Sequence, residues 1–458
     1  MLVVLVFVLA APAAAQDDAG GDAPNPLLDM LSLVPDAMYT TEDELSLSYA
    51  NLGAISPAHG APQYESYAQW ETEGRDTDGR WMWGLFRINT GPEFLQYVQV
   101  MGGLKELAGF DLFEIEHSVS IGQPPETLTI LSGVFDVDAM DAALTEMGYA
   151  AQEPPAEGVI AWRRADGEDD MTMDLAGREP AYPFGGHLGQ LRPVAAIPGA
   201  GDTIYLASSN SWDLAMGAVT AWQGEASTLA ERRDYRTLAE AVGAQGRGTA
   251  QTSLLGLSSV SRDAGYLMQA QYVDGLAMPF VDLSGITRDQ WDEAEPLRDL
   301  GIAYEFSFVP EWCDYGTLPR FSLALIADRQ EGENQVVLLA LYYEDTEIAR
   351  SAAEVLKMRL EKFTGYFTMG AEEPFLPQYI GESGTVEAYT YTSETTGGTA
   401  AVVAITYPLP SPEIPEGEVM RTYPGLAFRL WIQVLYRREM YPFWHVQLAD
   451  WMYGEFCE

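Results

Sequence analysis

Residues Leu128–Met147 read LTILSGVFDVDAMDAALTEM, and this stretch decides the fold class. Leu128 to Phe135 is an unbroken, mostly apolar run of the kind found in a buried strand. At Asp136 the period changes: Met140, Leu144 and Met147 fall on one face of a helix, and Gly148 supplies its stop. GVIAWRR (Gly158–Arg164) comes next as a second strand and MTMDL (Met171–Leu175) as a third, with the acidic DGEDD between them as a solvated turn.

The same alternation continues outward. TIYLASS (Thr203–Ser209) reads as a strand entering the helix SWDLAMGAVTAW, whose N-cap is Asn210 or Ser211. Leu229 to Val242 reads as another helix. Farther on, Ala303–Val309 and Arg320–Ala327 read as strands. VVLLALYY (Val336–Tyr343) then leads into DTEIARSAAEVLKMRLEKF, an amphipathic helix with Ile348, Ala352, Val355 and Leu356 on its apolar side. TVEAYTYTSETTGGTAAVVAITYP closes the block as two strands around Gly397-Gly398. Strand, helix and antiparallel pair thus occur at 128–175 and again at 336–407. Either the chain is internally duplicated, or it reuses the strand–helix unit from which all α+β domains are built. Nearer the N-terminus, Leu27, Leu28, Leu31 and Leu33 stand at helical spacing. The aromatic runs YESYAQWETEG and RWMWGLFRI, separated by Arg75–Gly79, read as the arms of a hairpin.

The fold expected is α+β: two lobes of mainly antiparallel sheet with packed helices, duplicated on the first of those two readings, and an aromatic-rich C-terminal strap. The expected segments are a signal peptide (1–15), a polar linker (16–26), an N-terminal lobe (27–245), a second lobe (246–408), and a Pro-rich hinge with the strap (409–458). Leu2 to Ala15 is apolar, ends in an Ala13-x-Ala15 cleavage pattern before Gln16, and is shorter than the roughly 20 residues that span a bilayer. It therefore reads as an export signal, although no Lys or Arg precedes it. No other segment reads as a transmembrane helix. The expected location is periplasmic, cell-surface or secreted.

Asp and Glu number 68 against 25 Lys and Arg, a formal net charge of −43. Such a field repels phosphate backbones and anionic headgroups, so nucleic acid is excluded as a partner. Two origins fit the charge: a high-salt setting in which screening is short, or a solubility device in a chain whose base composition favours Arg over Lys. Cys313 and Cys457 are the only cysteines, and in an exported chain they are disulfide candidates. Paired, they would close a loop of about 145 residues and stabilise by on the order of 5 kcal/mol in the chain-entropy model.

Catalytic signatures are sparse. His59, His117, His187 and His445 are scattered, with neither an HExxH nor an i, i+4 pair for zinc. No G-x-S-x-G elbow, S-x-x-K, Walker loop or GxGxxG occurs. Asp76-x-Asp78-Gly79 begins like a calcium loop but lacks the later ligands, and reads as a turn. Pro183-Phe-Gly-Gly-His187 is a flexible turn presenting a histidine. No catalytic, cofactor-binding or metal residue is assigned, and no cofactor is expected. The aromatic segment from Arg421 to Glu458 is interrupted by Arg429, Arg437 and Arg438. It either docks on the body or forms a surface for a protein or envelope partner.

The run Gly109–Tyr149 resembles a pattern in uncharacterised exported bacterial proteins: Gly-Phe-Asp at 109–111, Gly-x-Pro-Pro at 122–125, Gly-x-Phe-Asp at 133–136 and Gly-Tyr at 148–149. The segment from Arg192 to Ala241, with its Leu229-Ala-x-x-x-x-Tyr235-Arg stretch, is similar to the next segment of those proteins. The resemblance implies export, carries no activity and assigns no functional residue. The leading expectation is a non-enzymatic exported protein that acts by binding. A carboxylate-dependent hydrolase and a solute receptor with an inter-lobe cleft are the alternatives.

Overall fold

The computed structural model describes residues 25–36, 46–54, 61–75, 92–123, 126–164, 182–185, 190–243, 250–258, 287–293, 321–331, 333–362 and 384–408, with isolated shorter pieces. Twelve strands form one antiparallel sheet. In chain order they are β1 (Ser46–Asn51), β2 (Ile115–Gln123), β3 (Glu126–Gly133), β4 (Tyr149–Ala151), β5 (Ile160–Arg164), β6 (Val194–Pro198), β7 (Ile204–Ser209), β8 (Ala250–Ser258), β9 (Leu323–Glu331), β10 (Asn334–Tyr343), β11 (Thr385–Thr392) and β12 (Thr399–Pro408). The helices that matter here are α1 (Pro26–Leu31), α2 (Tyr67–Glu73), α3 (Val137–Glu146), α4 (Trp212–Trp222), α5 (Arg233–Gly243) and α6 (Thr346–Lys362).

Across the sheet the order is β11-β12-β10-β9-β8-β1-β2-β3-β7-β6-β5-β4. Reading outward from the β1–β8 seam, one half runs β1-β2-β3-β7-β6 and the other β8-β9-β10-β12-β11. Each half is therefore a strand, a hairpin, a helix and a second hairpin whose last strand pairs back on the first hairpin. The chain repeats its topology, with β4 and β5 as an addition to the first half. The sequence rhythm equates the closing hairpin of the second half with residues 158–175. The strand pairing instead equates it with β6–β7, because β7 is what pairs with β3. Residues 171–175 and 303–309 lie outside the described residues. The seam is a hydrogen-bonded antiparallel pair, Leu47 opposite Gly256 and Tyr49 opposite Leu254, so the lobes are joined through their sheet.

Helices cover both faces. On one face α3 packs over the first half through Met140 and Leu144, and α6 over the second through Ala349, Ala352, Leu356 and Leu360. On the other face α1, α4 and α5 share one apolar cluster that crosses the seam. β10 is buried from Gln335 to Tyr343, which explains its unbroken apolar text. α6 departs from the face its sequence suggests: Ile348 is 46% exposed, and the inward side is lined by alanines, so helix and sheet approach closely. Asp136 begins α3 as expected, its carboxylate accepting from the backbone N–H of Asp138 and Ala139 at 3.1 Å each.

The expected hairpin at 64–88 is corrected. Tyr67–Glu73 is α2, N-capped by Ser66, whose hydroxyl accepts from the Gln69 N–H at 3.3 Å, and Trp81 is also helical. Aromatic richness suggests strands, but these rings serve a core rather than a ladder. Trp70 packs on Trp81 with centroids 5.5 Å apart, and Trp81 on Phe113 at 4.3 Å.

α1 lies over the seam. Leu27, Met30 and Leu31 are buried, and the Asn25 amide donates to the Ala239 carbonyl at 3.1 Å. Beneath it a gap of about 10 Å³, lined by Leu27, Leu31, Leu47, Leu238, Leu325 and their neighbours, is wholly apolar. Its cause is in the register: Gly256 stands between Leu47 and Leu325 and brings no side chain. Among the described residues, no helix is long and apolar enough to cross a membrane.

Candidate functional site

On the α1 face of the first half, cross-strand register places four polar residues in one row: Asn51 on β1, His117 on β2, Ser132 on β3 and Tyr205 on β7. Tyr49, two residues before Asn51, is fully buried beside them, and its hydroxyl lies 3.0 Å from Nδ1 of His117. The two rings stack at 5.9 Å with 15° between their planes. Among the described residues the phenol has no other acceptor in reach. It therefore donates to Nδ1, and the ring proton sits on Nε2.

The electrostatics keep every ring neutral at pH 7. Burial lowers the His117 pKa from 6.5 to about 4, because the imidazolium would lose its hydration. Burial also raises the Tyr49 phenol far above its usual range, with the Asp29 carboxylate of α1 adding to the effect. Tyr205 is raised by burial first, then by Asp29 and Glu116. Burial raises Asp29 itself. The row is a line of neutral hydrogen-bonding groups under a negative field.

Ser132 is only 2% exposed, and its hydroxyl has no hydrogen-bond partner among the described residues. An orphaned buried hydroxyl costs about 1–3 kcal/mol. Replacing Ser132 with Ala should therefore leave stability unchanged or raise it by about 1 kcal/mol, read as the urea midpoint at pH 7. A loss greater than that would show that the hydroxyl is satisfied.

The duplicated topology supplies an internal control. The first hairpins end in the pairs Gln123–Glu126 and Glu331–Asn334, and aligning them sets His117 on Leu325 and Ser132 on Ala340. Pairing onward sets Tyr205 on Val402, and pairing inward sets Tyr49 on Leu254. The same sheet position is built entirely from apolar residues in the second half, where Leu325, Ala340 and Val402 are core. The architecture does not require the polar row.

A second polar row lies on the opposite face: Ser48, Ser120, Thr129 and Ser208, in register across β1, β2, β3 and β7 and all buried. Ser120 and Thr129 bond each other at 3.0 Å. In the second half, buried Gln335 donates to Asp328 at 2.9 Å, and Arg329 donates to the Val242 carbonyl at 3.0 Å, placing a cation at the C-terminal end of α5. Ser120, Thr129, Gln335, Asp328 and Arg329 thus have internal partners and serve the fold.

Of the residues singled out from sequence, His59, His187, His445, Cys313 and Cys457 lie outside the described residues, as do residues 76–79 and 166–170. Part of the turn at 183–187 is described. Phe184 is 2% exposed and packs edge-on to Tyr97 at 6.0 Å, and its carbonyl accepts from the Arg192 N–H at 3.1 Å. That turn is anchored by its phenylalanine. Of the C-terminal segment, Glu455 is described and forms an ion pair with Arg288. His117 is legible in the sequence as one of four histidines but not as a site. The signal lies in His117-x-Val119-x-Ile121, where a histidine opens the apolar side of an alternating strand.

Among the described residues, no group of three or more His, Cys, Asp or Glu is placed to hold a metal ion. No protein-family model matches the chain, and no curated protein matches it. One similar solved structure is crystal form I of TP0453, with a TM-score of 0.26 and 7% identity, covering 82% of this chain and 92% of that one. A likeness at that TM-score carries no argument about this chain.

Proposed function

We propose that this is an exported, non-enzymatic protein of the envelope or extracellular space that acts by binding, with the His117 row as its recognition element. The observation that carries the reading is the contrast between halves: Tyr49, His117, Ser132 and Tyr205 occupy positions that the other half fills with Leu254, Leu325, Ala340 and Val402. Buried polar groups weaken a core unless they are satisfied, so their presence in one half alone favours a role outside folding. Recognition suits them better than catalysis. Nδ1 is engaged by a phenol, and an imidazole whose pKa lies near 4 is a poor proton acceptor at neutral pH but a good Nε2–H donor. The leader-like Leu2–Ala15 segment supports export, as does the resemblance of Gly109–Tyr149 to exported proteins. The aromatic segment 421–458 is the element we assign to an envelope or protein partner.

One preparation tests both parts. The full chain, expressed in a secreting bacterium and recovered outside the cytosol, is expected to begin at Gln16 by intact mass. Native mass spectrometry should show a small bound mass that disappears in the variant carrying Tyr49→Phe, His117→Leu, Ser132→Ala and Tyr205→Val. Full-length product confined to the cytosol would end the export reading, and a wild-type native mass equal to that of its polypeptide alone would end the binding reading.

A further inference from the structure

We infer that the outer edge of β11 is an interaction surface for a second copy of this chain, joined edge to edge as an antiparallel strand pair. This inference is independent of the binding role above. The sheet has two ends, and they are built differently. At one, β4 has 3 residues, a length that limits pairing. At the other, β11 has 8, meets β12 through an unshifted register, and is exposed or half-buried throughout. Its text, TVEAYTYT, is β-branched and aromatic, with no proline or lysine and with Glu387 as its one charge. Sheet edges are ordinarily blunted by such residues, by bulges or by brevity. Among the described residues, no strand lies outside β11.

The hydrogen bonds fix which groups that edge presents. The Ser393 N–H donates to the Gly398 carbonyl at 2.9 Å, which makes Ser393 and Gly398 a bonded pair at the end of the β11–β12 hairpin. Alternation then directs the N–H and C=O of Glu387, Tyr389 and Tyr391 to β12, and those of Val386, Ala388 and Thr390 outward. Opposed residues of an antiparallel pair lie on one face, so a two-fold axis between two β11 strands passes through a residue that opposes itself. The two registers of fullest overlap centre on Ala388 and on Tyr389. In the first, Glu387 faces Tyr389 of the second copy, and in the second it faces Tyr391. Neither sets it against its own charge, and both let the outward groups of Val386, Ala388 and Thr390 bond across the axis. The molecule holds two precedents. Its seam joins counterpart strands in this way, with the counterparts Tyr49 and Leu254 directly opposed. In the first half β6 is the counterpart of β11, and it carries β5 on its outer edge, Ile160 opposite Ala196 and Trp162 opposite Val194. The architecture therefore accepts an antiparallel strand at this edge. A net charge of −43 on each copy opposes association at long range, so salt strengthens it.

The test is sedimentation of the full-length mature protein from about 1 to about 200 μM, with deuterium exchange into the peptide spanning 385–392 at the same concentrations. A dimer is expected, several-fold tighter at about 1 M than at about 0.1 M NaCl, because screening shortens from about 10 Å to about 3 Å. Exchange in 385–392 should slow as the concentration rises. Ala388→Pro removes an outward donor and leaves the β12 ladder intact, so it should weaken dimerisation at least tenfold with the urea midpoint unchanged. Thr390→Pro is read in its place if that midpoint falls, and the wild-type exchange decides if both fall. A monomer at every concentration in both salts overturns the proposal. That includes a monomer whose 385–392 amides are protected throughout, which would mean that the chain covers its own edge. A dimer indifferent to the folded proline variant, exchange in 385–392 that ignores concentration, or a dimer loosened by salt overturns it as well.

Discussion

Gly109→Ala is expected to destabilise the protein by about 3–5 kcal/mol, measured as the shift in urea unfolding at pH 7. Two costs combine. Gly109 has φ +79°, a left-handed conformation that costs a residue with a Cβ about 1 kcal/mol. The larger cost is steric: a Cβ at this position would lie 2.4 Å from the backbone nitrogen of Met140, 2.5 Å from its Cα and 2.6 Å from the carbonyl carbon of Ala139. Those atoms belong to α3, which is fixed by its Asp136 cap and by buried Met140 and Leu144, so neither side yields cheaply. Gly148→Ala separates the two costs. Its φ is +92°, yet nothing lies within 4 Å of the added carbon, and only the conformational loss of about 1 kcal/mol should appear. Equal losses at the two sites would mean that α3 does not approach Gly109 as closely as the structure places it.

That contrast also marks what can be read from sequence. The strand at Leu128, the helix opened by Asp136, the α4 helix, the buried β10 strand and the closing hairpin around Gly397-Gly398 are all local patterns. Alternation, caps and glycine stops declare them without help from the rest of the chain. β1, β8 and the pairing of β3 with β7 are not local, because Leu47 pairs with Gly256 and Leu131 with Leu206, far along the chain. Reading 64–88 as a hairpin fails for the same reason. Tyr67, Trp70 and Trp81 suit a sheet by propensity, but the packing of Tyr67 on Trp70, Trp70 on Trp81 and Trp81 on Phe113 overrides it. The repeated topology is visible as a recurring strand–helix–hairpin rhythm, but its register is not. Only the register reveals which polar residues of the first half have apolar counterparts in the second.

The site is the least legible part. A lone histidine in IEHSVSIGQ has no motif value, and Ser132 reads as an ordinary strand serine. Their meaning comes from being opposite one another, from Tyr49 reaching across from β1, and from Leu325 and Ala340 standing where they would stand in the other half. Comparison of halves thus replaces comparison of relatives: within one chain, the same backbone has been filled once with and once without polar groups.

The second large effect concerns acid stability. His117 titrates at 6.5 in the unfolded chain and at about 4 in the folded one, so between those values the unfolded state binds more protons. The stability linked to this residue is therefore complete above pH 6.5 and declines as the pH falls toward 4. Below 4 both states are protonated and the contribution no longer changes. The interval corresponds to about 3 kcal/mol lost on acidification. Many carboxylates also titrate in this range, so the quantity to measure is a difference. The comparison protein carries His117→Leu with Tyr49→Phe, which copies the apolar filling of the second half and leaves no phenol without its acceptor. Urea unfolding of both proteins at half-unit steps from pH 7.5 to 4 should give curves whose separation changes by about 3 kcal/mol in the variant's favour on going to acid. Acidification opposes the wild type because a charged imidazole in that position would have to give up Tyr49 as a donor and face burial without a counter-ion in contact. Parallel curves would mean that the native ring titrates as it does in the unfolded chain, hydrated and not buried. A hydrated ring would not be the desolvated imidazole, held by Tyr49, from which recognition by the row is argued.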